Sequence, residues 1–222
     1  MLESNCAALG LGAETASGIR YVTVSNCTVI NSIRMIQIIL WDGGVVEHIA
    51  FSNITGRAMT PIGTDRAIHF DIQNYDQTIK RELPPGQSGV LRYIQVSNVT
   101  CETRGRILLT ARDGAVMEHI TLRDVQLVYP EVEDPAVAIP KSRSSQLSNF
   151  NPEARVARAA VVVDNISNLV LDNVATVWPE HTEVPMHALW ARKIRNGRVD
   201  CPMLTPSLPG VERFLQMDSD LH

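Results

Sequence analysis

The sequence predicts an all-β chain, a single-stranded parallel β-helix (a solenoid) of about 7–8 coils carrying two loop insertions. Three observations point there. A short unit, apolar-x-apolar-Ser-Asn-apolar-Thr, recurs along the chain. Within each copy apolar residues alternate with a period of two, the strand period rather than the 3.6 of a helix. The apolar residues are also of the strand-forming kind, with 23 Val and 18 Ile among 222 residues against only 5% aromatics.

The copies are YVTVSNCTV (21–29), HIAFSNIT (48–55), YIQVSNVT (93–100), HITLRDVQL (119–127), NLVLDNVATV (168–177) and a degenerate KIRNGRVDC (193–201). Their Asn-type positions, Asn26, Asn53, Asn98, Asp124, Asn173 and Cys201, are separated by 27, 45, 26, 49 and 28 residues. Steps near 27 suit one coil of about three short strands, stacked at the roughly 4.8 Å strand spacing. The two long steps absorb polar, Pro-rich and Ser-rich text, which places insertions near 73–89 and 129–158. WDGGVVEHI (41–49) returns as RDGAVMEHI (112–120) at an offset of 71, so the register holds through the first insertion.

A repeated Asn at one corner can satisfy turn backbone groups and bond to the Asn above and below it. Asn26, Asn53 and Asn98 each open a glycosylation-type triplet, as does Asn165. For the first three the repeat is the better explanation, and their amides are expected to be buried at a turn. The β-helix domain spans 1–201. The tail from Pro202 to His222 breaks the pattern and is expected to cap the last coil, as solenoid ends require.

Twenty basic against twenty-four acidic residues leave no cationic excess for a nucleic-acid backbone. No stretch approaches the roughly 20 apolar residues of a spanning helix, and MLESNCAALGLG lacks the basic start of a secretion signal. Neither nucleic acid nor membrane is therefore an expected partner. The four cysteines, Cys6, Cys27, Cys101 and Cys201, have neither zinc nor paired spacing and are expected to be small buried apolar residues. No cofactor or metal is expected.

GAETASGIRYVTVSNCTV followed by DGGVVEHIAFSNIT resembles the later coils of polygalacturonase-like enzymes, glycoside hydrolase family 28 of the pectin-lyase-like β-helices. The resemblance is strongest over 5–56 and continues more weakly to about 201. It implies a right-handed helix, hydrolysis of pectic polysaccharide and action outside the cytoplasm. The family uses two carboxylates, one donating a proton and one activating water, together with Gly-His-Gly and Arg-Ile-Lys segments. Here CAALGLGAE (6–14) puts Ala7 at the histidine, and QII (37–39) puts Gln37 and Ile39 at the two cations. The aspartate segments would precede Met1, so the chain reads as the later portion of such a scaffold. Its first coil then offers an unpaired edge suited to self-association.

Substrate would lie along one sheet, with strands at 9–12, 36–39, 67–72, 106–110, 160–163 and 188–191. Alternation turns Gln37, His69, Asp71, Leu108, Thr110, Val162 and Trp190 outward. His69 and Asp71, two apart on one face, are the candidate catalytic pair. Gln37, Arg34 and Trp190 are candidate substrate-binding residues, with Arg34 placed at a coil corner. The competing reading makes the outward His and Asp plain solvated surface. Glu47-His48 and Glu118-His119 recur at the 71 offset and read as residues on opposite strand faces, not as metal ligands. Two functions follow: a polysaccharide hydrolase with a substituted site, or a non-catalytic β-helix that binds carbohydrate or serves as an assembly scaffold.

Overall fold

The computed structural model describes residues 1–59, 66–73, 75–76, 81–82, 89–141 and 152–222. The elements in chain order are β1 (Leu2–Ala13), β2 (Gly18–Leu40), β3 (Val45–Ala58), β4 (Arg66–Ile72), β5 (Tyr75–Asp76), β6 (Arg81–Glu82), β7 (Val90–Thr103), β8 (Arg106–Ala111), β9 (Val116–Val128), α1 (Pro135–Lys141), α2 (Pro152–Val156), β10 (Ala159–Val177), β11 (His187–Arg195), β12 (Arg198–Asp200) and β13 (Phe214–Met217). Apart from the small antiparallel β5–β6 pair, every strand pairing is parallel. Eleven strands form one sheet that folds back on itself, because β10 pairs with both β8 and β9. This is the all-β, parallel architecture consistent with a β-helix-like solenoid.

The registers reproduce the repeat. One set of pairings stacks β1, the end of β2, β4, β8, the start of β10, β11 and β13. A second stacks the start of β2, β3, β7, β9 and the later part of β10. Inward residues line up in apolar columns such as Ile36, Ile68, Ile107, Val161 and Leu189, and beside it Ile38, Phe70, Leu109, Val163 and Ala191. All ten belong to one buried core. Few aromatics are needed, because branched residues repeated at each rung fill such an interior.

The long strands bend at left-handed residues, two per coil and five apart: Tyr21 and Asn26, His48 and Asn53, Tyr93 and Asn98, His119 and Asp124, Asn168 and Asn173. At the second bend the amides form a ladder. Asn53 Nδ2 donates to Asn26 Oδ1 at 3.0 Å, Asn98 Nδ2 to Asn53 Oδ1 at 2.8 Å, and Asn173 Nδ2 to Asp124 Oδ1 at 2.7 Å. Asn tolerates this conformation better than other side chains. The ladder is exposed, contrary to the buried corner the repeat suggests, since the bend turns each Asn out of the coil. At the first bend bulky rings occupy the same strained conformation, and Tyr21, His48, Tyr93 and His119 stack at centroid distances of 5.1, 4.9 and 4.9 Å. His48 and His119 are thus ladder members, which explains their recurrence better than strand alternation does.

Of the cysteines, Cys101 and Cys201 are buried, Cys27 is partly so, and Cys6 is exposed, because β1 has a neighbouring strand on one side only. The tail adds β13 as a further rung on β11, and Leu221 bridges to Gly197. The first insertion lies largely outside the described residues. The second carries α1 and α2. Among the described residues no helix is long and apolar enough to cross a membrane.

Replacing Asn53 by Ala removes two ladder hydrogen bonds and leaves a β-carbon in left-handed backbone. Asn53→Ala is expected to lower unfolding free energy by about 2–3 kcal/mol, and Asn53→Gly by about half that, because Gly carries no conformational penalty. Urea denaturation of both variants checks the split.

Candidate functional site

The outward column begins at Gly10 and runs through Gln37, His69, Leu108, Val162, Trp190 and Leu215. Beside it lies Ile39, Asp71, Thr110, Asp164, Arg192 and Met217. Alternation therefore directs side chains as the sequence implies. Their environment differs: His69 is 1% exposed and Asp71 0%, so neither is solvated surface. The second insertion supplies the reason on the neighbouring rungs, where Ala154 of α2 and Ala157 pack with Leu108, Val162 and Trp190 in a second small apolar cluster.

Asp71 is held on both oxygens. Gln73 Nε2 donates to Oδ2 at 2.6 Å and Thr110 Oγ1 to Oδ1 at 2.8 Å. Burial nevertheless outweighs these bonds and the nearby guanidiniums, pushing the carboxyl up from 3.8 to about 6. His69 Nε2 stands 4.0 Å from Asp71 Oδ2, beyond a hydrogen bond, and neither ring nitrogen has a hydrogen-bond partner among the described residues. Burial first, then the surrounding Arg66, Arg34 and Arg106, hold this imidazole well below its ordinary value, so it is neutral at pH 7.

Arg34 is not at a corner. It lies in β2, directly beneath Arg66 of β4, which in turn pairs with Arg106 of β8. These three guanidiniums are buried, at 2%, 2% and 1% exposure. At the rung spacing of about 4.8 Å, neighbouring charges repel by about 3.5 kcal/mol at an effective dielectric of about 20. Arg34 Nη1 donates to Gln37 Oε1 at 2.8 Å, and Arg106 caps the end of the α2 segment through the carbonyls of Ala157 and Arg155. For Arg66, by contrast, Nε and Nη2 are buried without a hydrogen-bond partner among the described residues. Its guanidinium is pulled well below its ordinary value by burial and then by Arg34 and Arg106, with Asp71 the carboxylate opposing them. Arg106 is drawn down to about 10 by burial.

Elsewhere the same rung spacing is used with alternating charge. Glu47 accepts from Arg20 Nε at 2.6 Å and Arg92 Nε at 2.7 Å from the rungs on either side. Arg57 meets Glu102, and Arg123 meets Asp172. Arg192 grips Asp164 with Nε at 2.9 Å and Nη2 at 2.6 Å, and reaches Glu153 of α2 through Nη1 at 2.7 Å.

The structure thus brings Gln37, Arg34, His69 and Asp71 together. Trp190 sits in the same column but three rungs from His69, about 14 Å along the sheet, where its ring lies under the Arg192 guanidinium. Sequence reasoning missed Arg66, Arg106 and Asp164. Arg66 begins its strand one residue before the stretch read as strand, Arg106 is the first residue of its stretch, and Asp164 follows Val163 by one. Spacing held the signal in part: Asp164 continues the Asp71 and Thr110 alternation, and Arg66 precedes the outward His69 by three residues as Arg34 precedes Gln37, while Arg106 stands two before Leu108 across a register shift.

The Asp71 proton gives a test by pH. The folded value exceeds the unfolded one, so the folded state binds this proton more tightly. Its contribution is fully present below about pH 3.8 and is lost as pH rises through about 6, a total of about 3 kcal/mol. The stability of the wild type minus that of Asp71→Asn, measured by urea denaturation from pH 3.5 to 7, should fall by that order over this window.

Comparison with protein-family models, curated proteins and solved structures finds no match to this chain.

Proposed function

We propose that the chain is a carbohydrate-active, right-handed parallel β-helix of about 7–8 coils that hydrolyses an acidic polysaccharide in the manner of polygalacturonases. The observation that carries this reading is Asp71. It is a carboxyl on the outward face of a parallel sheet, raised to about 6, where it can still hold and deliver a proton near neutrality. Asp164 lies two rungs on in the same column, about 10 Å away along the strand stack. Carboxyl groups roughly 6.5–9.5 Å apart suit an inverting mechanism, and side chains can lean toward one another by that margin. In this scheme Asp71 protonates the departing glycosidic oxygen. Asp164, gripped by Arg192, takes a proton from the attacking water. Arg34, fixed by Gln37, meets the sugar from the neighbouring rung. Trp190, three rungs along the same column, is the ring on which a sugar would stack.

That cover favours a second reading. With His69 and Asp71 this deeply enclosed, the chain serves equally as a non-catalytic carbohydrate-binding or assembly scaffold.

Reducing-sugar release from polygalacturonate and rhamnogalacturonan separates the two. The hydrolase reading expects release by the wild type, and a loss of at least 100-fold in Asp71→Asn and in Asp164→Asn. Saccharide binding without release supports the scaffold. Release that survives in the His69→Ala, Asp71→Ala double variant removes the site assignment.

A further inference from the structure

We infer that the Arg66–Arg106–His69 cluster is a binding site for a compact tetrahedral oxyanion of the sulfate or phosphate class. This goes beyond the glycan reading and stands whether or not the chain cleaves any sugar.

Other cross-rung arginines meet a carboxylate one rung away, as Arg20 and Arg92 meet Glu47, Arg57 meets Glu102 and Arg192 meets Asp164. The register that makes those pairs puts Arg66 directly between Arg34 and Arg106 instead. Buried cations are costly unless paired and hydrogen-bonded. Arg66 is buried, yet among the described residues its Nε and Nη2 find no acceptor. Arg106 leaves Nε unpaired as well, and three residues along β4 both ring nitrogens of His69 are buried without partners. Asp71, the carboxylate acting on Arg66, is already committed to Gln73 and Thr110.

Unused donors therefore come from two adjacent rungs and from two positions on one strand. A planar carboxylate would engage one guanidinium fork and leave the others unpaired. A tetrahedral anion turns oxygens in several directions, so it can accept from Arg66, Arg106 and the single N–H of neutral His69 together. The α2 segment, tied down by Arg106 through the Ala157 and Arg155 carbonyls, screens the site from water and strengthens each of these bonds.

The test is thermal unfolding of the whole chain, with sodium sulfate, sodium phosphate, sodium acetate or sodium galacturonate titrated into sodium chloride at constant ionic strength. Sulfate or phosphate should raise the wild-type Tm along a saturating curve, reaching about 3–6 °C at ten times Kd. Acetate and galacturonate should not. Sulfate also stabilises proteins without binding, but that effect is linear in concentration and shared by variants. Arg66→Met, which keeps the aliphatic stem, should lose the saturating rise while remaining at least as stable as wild type in chloride alone. Asp71→Asn removes the competing negative charge and should tighten the anion severalfold, which keeps the test open if Arg66→Met does not fold. Absence of a saturating response to both dianions overturns the proposal. So does an unchanged response in Arg66→Met, a weaker one in Asp71→Asn, or saturation by the carboxylates alone. A sulfated or phosphorylated monosaccharide binding more tightly than the free ion would identify the anion as sugar-borne; the reverse order would identify it as the free ion.

Discussion

Parallel pairing at a fixed rung spacing is the constraint on which everything else in this protein depends. Once the backbone of one coil hydrogen-bonds to the next in register, each side chain is held about 4.8 Å from its counterpart above and below. A column must then be good company for itself. Branched aliphatics satisfy that condition inside the coil, amides satisfy it at one bend, and rings satisfy it at the other. Charges satisfy it only by alternating, and the Arg20, Glu47, Arg92 and Glu118 column does so.

The same constraint gives the arginine column its meaning. Register alone brings Arg34, Arg66 and Arg106 together, and the fold offers them no alternation. Neighbouring His69 is kept neutral and Asp71 is kept from ionising easily, so the local charge balance is set by burial as much as by sequence. Sites where a local rule is broken without an evident compensation are where function concentrates. That is why the sheet carrying β2, β4 and β8 draws both the catalytic and the anion-binding readings, while the stacked rings and amides on the other faces explain themselves as scaffold.

The second insertion decides how that sheet is used. It brings Ala154 and Ala157 onto Leu108, Val162 and Trp190, and joins them through Arg106 and Glu153. A face that alternation alone would leave to solvent becomes a second interior. Trp190 is buried with it, its ring under the Arg192 guanidinium.

Much of this was legible in the residues. The steps of 27, 45, 26, 49 and 28 determined the coil, the parallel register and the inward columns, because a period-two pattern repeated at fixed offset can bury its apolar face only by stacking. The Asn ladder was legible for the same reason. Tertiary structure alone decided the rest: that Asn26, Asn53 and Asn98 stack in the open, that rings take the left-handed bends, and that His69 and Asp71 are enclosed beside three arginines. Sequence spacing tells which way a side chain points from its own strand. What covers it depends on where other segments of the chain come to rest, as Ala154 does on Leu108, and no local pattern encodes that.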